Sequence, residues 1–382
     1  MHSQKRISGR QFGAMVTAGY LVLGVFYFPR PAMELAGREA LWSLWLAAAI
    51  IAGLMVLMFR ASVATPDQSI LTTASRLMGK PVGIALALFT IAYHLLLAIT
   101  ASLVFSFVLV NVFLPNTPLC AVNAGLIVSG LYVAWNGILG VARTIEATYT
   151  PVVVLSVLAL AVSAGFIHHP ALLLPPSQLE VIPILRGAWP QFLLFIGFQV
   201  SLNAYPYVRA SDRTSATRYA LYGLFAVTLF LTLAYEIAIA TLGPSYLVIQ
   251  RWPLVSLLRL IALENFFVNK LGLLIVVLWT VLIVLFMAVR FWCLGEDVQQ
   301  LLGLEGVPSY RISTFAIALT AMVTPFFVIN GQSLLPWLSQ VLVVFGLLYL
   351  TVVPLTVLTA VSLRPKKVQE IREIGVIERG SP

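Results

Sequence analysis

Residues 19–31 read G-Y-L-V-L-G-V-F-Y-F-P-R-P, and the fold turns on how that stretch can sit in a membrane. It is apolar enough for hydrocarbon, yet Gly19, Gly24 and Pro29 are poor material for one unbroken helix. Gly costs about 1 kcal/mol against Ala inside a helix, and Pro removes an intrahelical hydrogen bond. A broken helix survives in a bilayer only where protein or a watery cavity satisfies the freed N–H and C=O groups. Breaks of this kind can aim half-helix ends at a small polar ligand near the midplane. The alternative is that Gly24 only lets a neighbouring helix approach closely.

The rest of the chain is of the same character. Of 382 residues, 60% are hydrophobic and 10% charged, with mean hydropathy +0.98. That excludes an ordinary soluble core and indicates an all-α integral membrane protein. At roughly 20 residues per span, about ten transmembrane helices fit. Ten apolar runs can be placed near 11–29, 40–59, 82–113, 118–136, 146–167, 187–207, 218–242, 271–293, 310–330 and 334–362. The pI near 9.7 reflects charges between the runs rather than a nucleic-acid surface. Ten spans put both termini on one side. That side, including Arg143, Arg213 and Arg290, carries 17 of the 23 basic residues, against 6 on the other. The excess of positive charge predicts both termini in the cytoplasm. No A-x-A-like site follows the basic start M-H-S-Q-K-R, so the first run is expected to be a retained span.

Residues 1–362 read as a single transmembrane domain with halves at about 8–167 and 187–362, followed by a charged cytoplasmic tail at 363–382. Segment 60–80 reads as a short amphipathic stretch on the cytoplasmic surface. Segment 168–186 is Pro-rich and reads as extended and external, and 244–270 as an interfacial helix. The tail alternates charges and is expected to be mobile or to meet a partner. An internal symmetry is faint but present. Gly24 precedes Pro29 by five residues in span 1, and Gly197 precedes Pro206 by nine in span 6. Interrupted segments at corresponding places of two five-span halves point to a 5+5 inverted repeat with broken helices 1 and 6.

No hydrolase, kinase, phosphate-cradling or metal-ligand pattern is present, so the chain does not read as an enzyme, and no cofactor is called for. Cys120 and Cys293 stand alone, and His168-His169 lies in the Pro-rich loop without companions. The candidates are polar groups inside spans, where they are costly. Gln199 and Asn203 share one face of span 6 just past Gly197, suited to a ligand pocket or to interhelical glue; the glue reading is the better one for Asn203. Tyr93 and His94 sit mid-span, and His94, Ala98, Ser102 and Ser106 form a stripe that must face protein: a close-packed seam or a pocket wall. Glu236 reads as the only acid deep in a span, able to serve proton coupling or simply to reach the interface. Arg143 and Glu146 open span 5 and are placed to pair.

The order and spacing of several pieces resemble the B subunits of spore germination nutrient receptors, a branch of the amino acid–polyamine–organocation superfamily. These pieces are I-S-G-R-Q-F at 7–12, L-G-V-F-Y-F-P at 23–29, A-G-R-E-A-L-W at 36–42, P-D-Q-S-I at 66–70, L-M-G-K-P-V-G at 77–83, G-V-A-R-T-I-E at 140–146 and Ala204-Tyr205-Pro206. The resemblance implies a LeuT-like fold with unwound segments in spans 1 and 6. A small germinant, usually an amino acid, is expected between them, among Tyr20, Gly24, Val25, Tyr93, His94, Gly197, Gln199 and Asn203. It also implies partners, an A subunit and a lipoprotein C subunit, in the inner membrane of the spore. Two departures stand out: Val22 occupies the place of a family glycine, and Gln199 that of a common glutamate, which removes a charge able to hold an ammonium group.

Three readings stay open: a receptor subunit, a proton- or sodium-coupled amino acid permease, and a structural membrane subunit. The topology is testable at once. A single cysteine introduced as Ser381→Cys in a background without Cys120 and Cys293 should resist a membrane-impermeant thiol reagent in intact cells. Ready labelling from outside overturns the cytoplasmic placement.

Overall fold

The computed structural model describes residues 6–20, 23–174, 179–259, 271–327 and 331–370. Val22, residues 260–270 of the expected interfacial helix and residues 371–382 of the tail lie outside them. Among the described residues the regular structure is helical, with one isolated bridge between Ile7 and Val208. In order the helices are α1 (Gly9–Thr17), α2 (Arg30–Ala36), α3 (Ala40–Ala64), α4 (Ile70–Met78), α5 (Lys80–Val112), α6 (Leu119–Ala134), α7 (Gly137–Ser163), α8 (Val181–Gln191), α9 (Val200–Ala204), α10 (Arg213–Leu242), α11 (Pro244–Ile249), α12 (Pro253–Arg259), α13 (Leu271–Leu302), α14 (Val307–Phe327) and α15 (Gly331–Leu363). Six helices among the described residues are long and apolar enough to cross a membrane. The chain is an integral membrane protein.

The first and sixth apolar runs are both interrupted. α1 stops at Thr17 and α2 starts at Arg30, with turns between; α8 stops at Gln191 and α9 starts at Val200. α1 is opened by a capping box in which the Ser8 hydroxyl accepts from the Gln11 N–H and the Gln11 side chain accepts from the Ser8 N–H. It then packs on α10 through small residues one turn apart. A Cβ on Gly9 would lie 2.7 Å from Ser215 Oγ, and one on Gly13 would lie 2.6 Å from Tyr219 Cβ; Thr17 in turn packs on Gly223. This is the small-xxx-small seam by which membrane helices approach closely.

The two interruptions meet. A Cβ built on Gly197 would strike the Gly19 backbone, and one on Gly19 would strike the Gly197 carbonyl. Further along, a Cβ on Gly24 would lie 2.8 Å from Leu194 Cδ2. Gly19 faces Gly197 and Gly24 faces Leu194, so the two stretches pass in opposite directions. Gly24 has no positive φ. Its glycine is a matter of space, not of a backbone shape that a Cβ would forbid.

The structure corrects several sequence expectations. Residues 181–186 are helical rather than extended, because α8 starts ahead of the apolar run. α7 starts at Gly137, and Glu146 pairs with Arg10 at 3.1 Å and Gln11 at 2.9 Å instead of with Arg143. Segment 244–270 begins as two short helices, α11 and α12. The start of the tail is docked: residues 365–370 are helical, Val368 packs on Leu77 of α4, and Arg364 donates to the Leu77 carbonyl.

The crossing sets a sharp contrast between two glycines. Gly197→Ala forces a side-chain atom into backbone and should cost more than the 1–3 kcal/mol typical of overpacking, seen as loss of monodisperse protein or a large drop in Tm. Gly53, mid-helix in α3 with open space around it, should accept Ala with no loss. Equal behaviour of the two variants refutes the crossing.

Candidate functional site

A helix that stops in mid-membrane leaves carbonyls and N–H groups without intrahelical partners. In the second interruption two of these carbonyls are taken by side chains. The Tyr93 hydroxyl, from α5, donates to the Ile196 carbonyl at 3.0 Å. Arg290 Nη2, from α13, donates to the Gly197 carbonyl at 2.5 Å. Gly346 of α15 makes room for the first bond, since a Cβ there would lie 2.8 Å from the Tyr93 hydroxyl. Tyr93 is held further by stacking on Tyr349 of α15, with centroids 5.0 Å apart.

Around this point the structure gathers most of the residues singled out from the sequence. Tyr20 is buried with its ring against Phe195 and Phe198, and its hydroxyl has no protein partner. Gln199 is fully buried, and neither end of its amide has a partner. His94 is likewise fully buried with both ring nitrogens unpartnered, edge-on to Tyr349. Ala98, Ser102 and Ser106 continue the buried stripe, which faces protein as expected. Buried polar groups are nearly always hydrogen-bonded in native proteins, to protein, water or a bound molecule, and the side chains of Tyr20, Gln199 and His94 have no hydrogen-bond partner within the chain.

Two cavities flank the interruptions. One of about 430 Å³ lies between Gly24, Leu194 and Val343 and rises past Arg30, Glu34 and Arg251. The other, of about 220 Å³, is lined by Tyr20, Val25, Phe26, Tyr149 and Trp279. Gly24 and Val25 therefore line different cavities.

Asn203 is engaged elsewhere, donating to Asp297 Oδ1 of α13 at 2.7 Å, which matches the interhelical-glue reading. Glu236 is half-buried near Arg38, whose carbonyl accepts from Tyr235. Arg38 also reaches the Leu172 carbonyl, so Glu236 stands beside a loop and not at the interruptions.

The span placed at 271–293 falls on α13, but the sequence reading does not find the charges that this helix buries. Arg290 was grouped with cytoplasmic charges and Glu236 read as the only deep acid, yet Arg290 and Asp297 are both buried to within 1%. The helix runs on to Leu302, well past the end of the apolar run. The overlooked signal was F-W-C-L at 291–294, an apolar turn directly after the arginine. Arg290 and Asp297 are seven residues apart, two turns on one face.

The family model described as "Spore germination protein" matches residues 6–328. Spore germination protein B2 of Bacillus subtilis (strain 168) is 22% identical over 339 residues, covering 86% of this chain and 87% of that protein. In three dimensions the chain is similar to MhsT, solved with L-phenylalanine, with TM-score 0.64 at 12% identity over 95% of this chain and 97% of that one. A Na+-coupled sialic acid symporter gives TM-score 0.61 at 11% identity over 91% and 79%. These likenesses establish the fold of LeuT-type transporters.

Tyr93→Phe leaves the stacked ring in place but strips the Ile196 carbonyl of its donor. It should cost about 1–3 kcal/mol, the usual penalty for a buried acceptor left unmade, read as a lower Tm of the purified protein. An unchanged Tm removes Tyr93 from the support of the interruption.

Proposed function

The chain belongs to the spore germination protein family, and on that premise we propose that it is the membrane subunit of a germinant receptor. It binds a small nutrient, an amino acid by class, between its two interrupted helices and passes the signal to partner subunits. The proposal takes the ten apolar runs as ten spans in two inverted five-span halves, with both termini cytoplasmic. It takes the protein as a binder rather than an enzyme, and a larger A subunit and a lipoprotein C subunit as its partners. The observation that carries it is the pair of glycine-bearing interruptions in contact, ringed by buried polar groups without protein partners: Tyr20, His94 and Gln199. Tyr93 and Gly197 complete the proposed wall, with Gly24 and Val25 on the two separate cavities beside it.

A permease remains the second reading because of one residue. Asp297 is a buried carboxyl with Oδ2 unpartnered, tied through Asn203 to the second interrupted run. Ionisable groups inside spans are where transporters move protons. Binding and transport separate experimentally: purified protein in nanodiscs titrated with the twenty amino acids reports binding, and uptake into proteoliposomes reports transport. Binding without uptake supports the receptor, and uptake supports the permease.

Gln199 has no protein partner to lose. Gln199→Ala should therefore leave Tm unchanged while weakening binding tenfold or more, as expected for about 1–3 kcal/mol of lost hydrogen bonding. Asn203→Ala, which strands Asp297, should do the reverse, lowering Tm. A Gln199→Ala variant that is unstable yet binds normally overturns the pocket.

A further inference from the structure

Among the described residues around the interruptions, Arg290 is a cation with no carboxylate against it. It is fully buried. Nη2 is on the Gly197 carbonyl, the guanidinium carbon lies 4.6 Å above the Phe286 ring, and neither Nε nor Nη1 has a protein partner. The ion pairs among the described residues, Arg10–Glu146, Arg30–Glu34 and Arg213–Asp67, lie elsewhere. Of the nearest acids on its own helix, Glu296 accepts from the Tyr207 hydroxyl and Asp297 Oδ1 from Asn203, while Asp297 Oδ2 has no partner. Asp297 also stands two turns away, about 10 Å along the axis. The groups that face Arg290 from neighbouring helices are Tyr93, Tyr349 and His94, with Cys293 one turn along.

A guanidinium cannot shed its proton under ordinary conditions, and a buried charge without a counter-charge is strongly disfavoured. A carbonyl and an aromatic face answer it only in part. What the surroundings lack is an anion, and the donors left over on Nε and Nη1 suit a carboxylate. There is a way in. The larger cavity ends on Gly24, Leu194 and Val343; Gly197 follows Leu194 by three residues, and Gly346, beside Tyr93, follows Val343 by three. Arg290 itself lines neither cavity; it holds the carbonyl of Gly197, three residues on from Leu194, which does line the larger one.

We propose that Arg290 is the anchor for the ligand's anionic group, so that the site takes a small carboxylate-bearing molecule rather than a neutral or cationic one. This deepens the pocket proposed above and rests on it. The carboxylate then meets a side chain facing the second interruption, leaving Gln199 and His94 for the rest of the ligand.

The test compares each amino acid with its carboxamide on the full chain in nanodiscs. Amino acids that bind the native protein should lose at least tenfold in affinity as carboxamides. In Arg290→Gln, acid and amide should differ by less than threefold, while Arg290→Lys should keep the preference for the acid. Equal binding of acid and amide by the native protein overturns the proposal, as does a preference that survives in Arg290→Gln. Where no amino acid binds, the function proposed above has failed, and acetate, lactate and benzoate test Arg290 by itself. Thermal stabilisation by these anions in the native protein but not in Arg290→Gln supports the anchor, and its absence overturns it. Loss of folded protein in both variants assigns the guanidinium to structure alone and overturns it too.

Discussion

The architecture depends on one place where two pieces of main chain touch without a side chain between them. Gly19 and Gly197 approach so closely that a methyl group on either would overlap the other's backbone. Regular helices cannot come this near each other along their length, because side chains hold their axes about 8–10 Å apart. Contact at this range requires that both segments lack a Cβ at the crossing. The seam of Gly9, Gly13 and Thr17 on α10 then leads α1 to the point where it ends.

Interruption creates a debt of hydrogen bonds that the bilayer cannot meet. The fold answers it from two long helices on the far side, through Tyr93 of α5 and Arg290 of α13. One answer is neutral and the other carries a full charge. The charged one has tyrosines, a histidine and a phenylalanine ring as its neighbours, none of them a carboxylate.

Much of this was legible in the sequence, and what was not failed for physical reasons. Apolar runs mark helices because hydrocarbon demands them, so among the described residues most of the runs fall on helix, while the first passes from α1 into turns and the sixth is interrupted between α8 and α9. Glycine and proline marked the interruptions, but the first pairing matched Gly24 to Gly197. The crossing instead joins Gly19, ten residues before Pro29, to Gly197, nine before Pro206. That closer match of spacing was on the page, but what distinguishes Gly19 from Gly24 is which atom it meets. Burial of Arg290 and Asp297 was harder to see. Hydropathy counts a charge against a span wherever it lies, whereas a helix longer than the bilayer core can bury a charge against its neighbours. Likewise Glu146 could be seen to need a partner, but not that Arg10, 136 residues earlier, would supply it.

The N-terminal segment has a further consequence, for the order in which the chain can be built. Ile7 exchanges backbone hydrogen bonds with Tyr207 and Arg209, and Arg6 donates to the Pro206 carbonyl, a separation of 200 residues. The partner of the α1 seam, α10, comes later still. At about 5–20 residues per second of synthesis, these first residues wait roughly 10–40 s before their partners exist. Through that interval α1 has its glycine face bare, and only its contacts to the first half, such as Arg10 and Gln11 on Glu146, can form. The nascent chain is therefore a substrate for whatever shelters unpaired helices in the bilayer, and its maturation is timed by the arrival of residues 206–223.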